Sequence, residues 1–130
     1  MLLGTYKPKL LGKNRLVLPA KLRKEISGSD LVLSVGFEAC IFGFEEKKWE
    51  QVTEADLSRP LSDNEGRILR RKMCTNAQTV GLDAQGRFVV PEEMLKLIGL
   101  KDEITLIGAG DHFEIWGTKR WESYREKELS

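Results

Sequence analysis

Within the nine positions from Lys7 to Arg15 the chain places four cations, Lys7, Lys9, Lys13 and Arg15, and no acid. Ammonium and guanidinium groups at that density suit a polyanion. Lysine meets a phosphate as a point charge, whereas arginine can pair bidentately with a phosphate or with the O6 and N7 of guanine. The plainer alternative is an edge strand whose lysines guard against sheet-to-sheet pairing. Scattered lysines usually mean no more than that, but four without an acid favour binding. A second arginine, Arg87, follows Asp83 by four residues. Both arginines open a short apolar stretch after a turn, so each could project from a rim. Each could equally brace its turn, Arg15 on backbone carbonyls and Arg87 on Asp83, and residue types alone leave this open.

Other reactive side chains are sparse. His112 is the single histidine, with no partner at triad or metal spacing, and Asp111-His112 reads most simply as the turn before a strand. Cys40 and Cys74 lack metal-ligand spacing and are expected to be buried free thiols. The glycines sit singly at turns and form no phosphate-cradling signature. No catalytic residue, no metal ligand and no cofactor is therefore expected; only a deep pocket lined by Cys40, His112 and Glu114 would reopen an enzyme reading.

The elements that must carry these cations are set by a duplication. Leu10 to Pro19 (LLGKNRLVLP) overlays Leu82 to Pro91 (LDAQGRFVVP), each a polar turn, an arginine, a short apolar strand and a proline. The register continues without a gap through Lys24/Lys96, Asp30/Asp102, Gly36/Gly108, Trp49/Trp121 and Glu50/Glu122, with eleven identities from Leu10 to Glu50. Two copies of roughly 40–45 residues are each too small for an adequate core, so they must lean on one another or on another subunit. The division expected is 1–50 for the first repeat, 51–75 for a helical inter-repeat segment and 76–130 for the second repeat.

Element by element, Leu2 to Lys9 can pair as a strand, with Pro8 demoting its end to an edge. Gly12 to Asn14 supply turn chemistry, Arg15 to Leu18 a strand, and Ala20 to Ile26 a helix opened by Pro19. Leu31–Val35 and Cys40–Phe44 read as strands. Glu45–Leu57 reads as a helix, and a capping box at Ser62 to Glu65 opens another, to about Cys74. Asn76–Leu82 then restarts the cycle, with strands at Glu103–Ile107 and Phe113–Trp116. A last helix, Thr118 to about Glu128, has Thr118 as N-cap and Trp121 and Tyr124 on its inner face. Phe44, Trp49, Trp116 and Trp121 are expected in the core. Arg67, Arg70, Arg71 and Lys72 form a second basic run, expected to pair with Asp63 and Glu65 or with a neighbouring subunit.

With 41% apolar and 32% charged residues, the composition is that of an ordinary soluble protein. No run approaches the ~20 apolar residues of a membrane span. The start, MLLGTYKPK, has no basic segment leading into an apolar one, so no signal peptide is expected and the cytoplasm is indicated. The net charge of +1 hides an asymmetry: residues 1–44 carry seven Lys/Arg against three Asp/Glu, and residues 76–130 carry seven against ten. A polyanion should prefer the first copy.

The duplicated turn-Arg-strand-Pro pattern, each copy closed by a Trp-Glu segment, resembles the MraZ family. These are bacterial regulators of the division and cell-wall gene cluster, built from tandem SpoVT/AbrB-type domains. The family motif, Asp-x-x-Gly-Arg, stands intact as Asp83-Ala84-Gln85-Gly86-Arg87, whereas the first copy has Leu11 for the Asp and Asn14 for the Gly. The resemblance implies an α+β fold in which two pseudo-symmetric half-barrels, each β-β-α-β-β plus helix, interleave into one small β-barrel with flanking helices. It implies a nucleoid-associated repressor that binds double-stranded DNA at promoter direct repeats. It also implies a ring-like homo-oligomer, with an octamer as a candidate size. The candidate DNA-binding residues are Lys7, Lys9, Lys13, Asn14, Arg15, Gln85 and Arg87. Rival readings are an AbrB-like antitoxin, disfavoured by the short helical tail, and a structural ring protein that binds no DNA.

Overall fold

The computed structural model describes residues 1–99 and 103–130; Asp102, the repeat counterpart of Asp30, lies outside them. Its elements follow the duplicated cycle. The first half holds β1 (Thr5–Tyr6), β2 (Arg15–Val17), α1 (Ala20–Arg23), β3 (Asp30–Val35) and β4 (Ile41–Glu45). Two helices follow, α2 (Glu46–Leu57) and α3 (Asn64–Thr75). The second half holds β5 (Ala77–Gly81), β6 (Arg87–Val89), α4 (Glu92–Leu97), β7 (Ile104–Gly108), β8 (Phe113–Gly117) and α5 (Thr118–Glu128).

The halves exchange strands. All ladders are antiparallel, and the main sheet runs β1-β7-β8-β4-β3-β5, so the first strand of each repeat adds to the other repeat's hairpin. β2 and β6 pair separately as a two-stranded ribbon. Two pairs mark a local two-fold axis, because each joins residues that correspond in the repeat: Leu16 with Phe88 in the ribbon, and Phe42 with Glu114 at the sheet's centre. The α+β, two-repeat architecture is thus present, as a six-stranded sheet with a separate two-stranded ribbon.

Strand alternation fills the space between them. Leu16 and Phe88 face inward from the ribbon onto Leu31, Leu33, Ile41, Leu106, Phe113 and Ile115 of the sheet, giving one core built by both halves. Gly43 is required there, since a Cβ on it would run into the Phe113 ring. The opposite face of the sheet receives α2, α3 and α5, whereas α1 and α4 join the inner core through Leu22, Met94 and Leu95. Trp121 and Tyr124 of α5 pack on Trp116 of β8, while α2 and α3 lie behind β3 and β4.

Several local expectations are corrected. Lys7 and Lys9 lie beyond β1 rather than on it, because pairing with β7 ends at Tyr6. α1 stops at Arg23 and continues to Ile26 as tighter turns, with Glu25 N–H bonded to Leu22 O and Ile26 N–H to Arg23 O. The capping box does not form: Asp63 is the N-cap, and its carboxylate takes Arg59 Nε at 2.7 Å instead of a helix N–H. Gly117, not Thr118, caps α5; the Thr118 hydroxyl is engaged with Thr105 at 2.8 Å. Arg67 bonds Leu61 O and Asn64 Oδ1, and Arg70 bonds Leu57 O, so it is Arg59 that meets Asp63 and Glu65. Cys74 is exposed, and Trp49 is only half-buried.

Candidate nucleic-acid interface

The ribbon's register decides where the two arginines go. Arg15 pairs with Val89 and Val17 with Arg87. Inward Leu16 and Phe88 leave Arg15, Val17, Arg87 and Val89 on the outer face, where both valines are exposed. Arg15 and Arg87 are therefore diagonal neighbours across the ribbon, within reach of one another for side chains of their length. Sequence reasoning named both but had no means of placing them on one face. A shallow depression lined by Lys7, Lys9, Leu11 and Val17 brings the N-terminal lysines alongside. Lys7, Lys9, Lys13 and Gln85 are exposed, and Asn14, Arg15 and Arg87 half-buried.

The turns at the two ends of the ribbon are built differently. In the second, Asp83 Oδ1 accepts the N–H groups of Gln85 (2.9 Å) and Arg87 (2.8 Å), and Oδ2 accepts Arg87 Nε at 2.8 Å. The Arg87 N–H bond, then the Arg87 side chain, hold the Asp83 carboxyl below its ordinary value. Gly86 supplies the left-handed φ of +80° that the turn needs. The Leu11 side chain offers no acceptor in the first turn. Arg15 N–H instead reaches Leu11 O at 3.4 Å, and both Lys13 (φ 61°) and Asn14 (φ 59°) are left-handed. Asparagine tolerates that conformation readily, lysine less so. The turn expected from Gly12 to Asn14 is present, with Lys13 rather than Gly12 taking the positive φ. Arg15 makes one long bond, Nε to Gly12 O at 3.4 Å.

The two turns are also stitched symmetrically to the opposite strand, Leu18 N–H to Gly86 O (2.8 Å) and Val90 N–H to Asn14 O (2.8 Å). Arg23 was missed by sequence reasoning. It reaches from α1 under the second turn, with one terminal nitrogen 3.5 Å from Asp83 O and a buried Nε that lacks a partner. The repeat could have drawn attention to it, since Leu95 occupies its counterpart position. Among the described residues Lys9, Lys13 and Arg15 make no ion pair, Lys7 lies near enough to Glu122 to feel its charge, and Arg87 is tied to the Asp83 carboxylate. Such a surface can hold phosphates and present a guanidinium to base edges.

Cys40, His112 and Glu114 do meet behind the sheet, but as a closed network. His112 Nε2 binds Glu114 Oε2 at 2.8 Å and Nδ1 binds Asp111 Oδ1 at 2.7 Å. Glu114 Oε1 accepts Trp116 Nε1 at 2.9 Å and lies 4.0 Å from Cys40 Sγ. Burial first, then the Glu114 and Glu38 carboxylates, push the Cys40 thiol up to about 12, the opposite of an activated nucleophile. Among the described residues no group of three His, Cys, Asp or Glu side chains could hold a metal ion, and no helix is long and apolar enough to cross a membrane.

A family model described as "MraZ protein, putative antitoxin-like" matches the chain twice, over residues 1–72 and 73–130. Among similar curated proteins, one from Micrococcus luteus is 42% identical over 124 residues, spanning 95% of this chain and 86% of its own. One from Kocuria rhizophila is 40% identical over 131 residues, spanning 100% and 91%. One from Roseiflexus castenholzii is 34% identical over 123 residues, spanning 95% and 85%. Each of the three is named a transcriptional regulator MraZ.

Proposed function

The chain belongs to the MraZ family, and on that premise we propose that it is a transcriptional regulator that represses by binding DNA through the outer face of the β2–β6 ribbon. The observation that carries the reading is the diagonal pair Arg15 and Arg87 on a face flanked by Lys7, Lys9 and Lys13. A two-stranded ribbon fits the major groove, where arginine reads guanine, while the lysines take phosphates on either side. Asn14 and Gln85, at the two turn tips, reach toward the backbone or base edges. Arg15, held by one long bond, is the principal contact; Arg87 divides its hydrogen bonds between Asp83 and DNA.

One subunit offers about four to six phosphate contacts, too few for firm binding at physiological salt. The resemblance supplies the remedy. A ring-like homo-oligomer on promoter direct repeats turns later contacts into intramolecular ones, raising affinity by ~10²–10⁴. The target belongs to the same proposal: the promoter of the division and cell-wall gene cluster. So do the location, in the cytoplasm at the nucleoid, and the division into repeats 1–50 and 76–130 around the helical segment 51–75.

Gel shifts on the DNA upstream of the protein's own gene test this directly. Arg15→Ala should abolish the shift at fixed salt and leave the assembly unchanged in light scattering. Unaltered affinity would overturn the ribbon reading. For the wild type, log K against log salt should fall with a slope of roughly −0.9 per phosphate contact.

A further inference from the structure

The guanidinium groups of Arg15 and Arg87 make up only half of the ribbon's outer face; Val17 and Val89 make up the other half. Both valines are open to solvent, Val17 at 39% and Val89 at 48%, while Leu16 and Phe88 beside them are buried. Each stands directly across from an arginine of the other strand, Val89 from Arg15 and Val17 from Arg87. The local two-fold axis at Leu16 and Phe88 relates the two Arg–Val pairs, so the same arrangement is made twice. Strand formation alone does not call for valine here. Threonine is β-branched too, and its hydroxyl would suit water.

Charge indicates what covers this face. Lys7 and Lys9 line the same shallow depression as Val17, and Lys13 is exposed at the adjoining turn. Neither ribbon strand contains an acid. A duplex held there by its phosphates, with the ribbon in its major groove, sets base edges against the valines. An isopropyl group makes no hydrogen bond, so it is blind to the donors and acceptors that mark most base edges. The apolar group displayed in that groove is the 5-methyl of thymine.

We infer that Val17 and Val89 read thymine methyl groups next to the guanines read by Arg15 and Arg87. The inference rests on the ribbon reading above and adds a second kind of base readout to it. Each Arg–Val pair selects a G·C pair beside a thymine. Cytosine in that thymine's place would remove the methyl and bury an amino group against a side chain that cannot accept from it. Both repeats take part, because Val89 belongs to the second copy although the N-terminal lysines belong to the first.

Gel shifts at fixed salt on the DNA upstream of the protein's own gene test this, with thymine or uracil in the stretch that the protein protects. Uracil differs from thymine only in lacking the methyl. Each methyl removed beneath a valine should weaken wild-type binding roughly fourfold, the worth of one buried carbon of this kind. The double variant Val17→Ala, Val89→Ala should bind thymine DNA more weakly than the wild type and bind uracil DNA equally well. Its assembly size and salt slope should stay those of the wild type. Equal wild-type affinity for the two DNAs, or undiminished discrimination in the double variant, would overturn the inference. So would a changed assembly size in the double variant, which would assign the valines to a contact between copies. Any of these results with binding still abolished in Arg15→Ala would remove the valine readout alone. Unaltered affinity in Arg15→Ala, or no binding by the wild type, would remove the ribbon reading with it.

Discussion

Cys40 and Cys74 carry the same thiol in opposite surroundings, and their chemistry should diverge accordingly. Cys74 is exposed near the end of α3, whereas Cys40 is fully buried and its thiol is pushed up to about 12 by burial and nearby carboxylates. A thiol reagent at about pH 8 should therefore modify one cysteine quickly and the second only on unfolding, and Cys74→Ser should remove the fast phase. His112 offers a second check at this scale, because it is the single histidine and its ring signals stand alone in a proton spectrum. Burial lowers its pKa, but the hydrogen bonds and charges of Glu114 and Asp111 outweigh this, and the value ends above the ordinary 6.5. Charged His112 therefore adds stability below about pH 6.5, a contribution that fades as pH rises through the raised value. An NMR titration should place the midpoint above 6.5 in the wild type and lower it in Glu114→Gln. A wild-type midpoint below 6.5 would contradict the geometry.

At the scale of the element, the two turns are a natural comparison of one motif with and without its aspartate. Asp83 satisfies two N–H groups and a guanidinium at once, while the first turn carries left-handed Lys13 with only backbone support. A left-handed non-glycine residue costs on the order of 1–3 kcal/mol. Restoring the motif with Leu11→Asp and Asn14→Gly should stabilise the protein by roughly 1 kcal/mol, about 3–5 °C in Tm. The new carboxylate would also draw Arg15 inward, as Asp83 holds Arg87, so DNA affinity should fall while Tm rises; calorimetry and gel shifts on the same variant read the two effects. Asp83 itself, held below its ordinary value, should keep the second turn ordered until the pH falls below about 3.9. Much of this was legible in the sequence. The motif located both turns, both ribbon strands and the prolines that end them, because turn chemistry is local. Caps were misjudged where another side chain competed: Arg59, one turn before it, took Asp63, and Thr105 of the neighbouring strand took Thr118. Trp49 was expected in the core from its repeat counterpart Trp121, but the smaller Phe44 and Val52 around it leave the space open.

At the scale of the whole molecule, the strand exchange couples the halves so closely that neither holds a core of its own. Alternation in β1 and β5 is equally compatible with pairing inside a repeat or across repeats, so the duplication was legible in the residues themselves, whereas the interleaving was expected only through the resemblance to the MraZ family. The structure chooses the crossed arrangement: β1 adds to β7, β5 to β3, and Leu16 meets Phe88 on the local two-fold axis. A fragment of residues 1–75 alone would lose β5 from its sheet edge and Phe88, Leu106, Phe113 and Ile115 from the layer over Leu16, Leu31, Leu33 and Ile41. Burying each such side chain contributes roughly 1.5–3 kcal/mol, so losing several consumes the 5–15 kcal/mol by which a domain is stable. Fragments 1–75 and 76–130, prepared separately, should show no cooperative thermal transition. Mixed in equal amounts, they should recover one, together with near-ultraviolet dichroism from the Trp116–Trp121 pair. A cooperative transition in 1–75 alone would mean that the first repeat closes on itself, and the exchanged pairing of β1 and β5 would have to be abandoned.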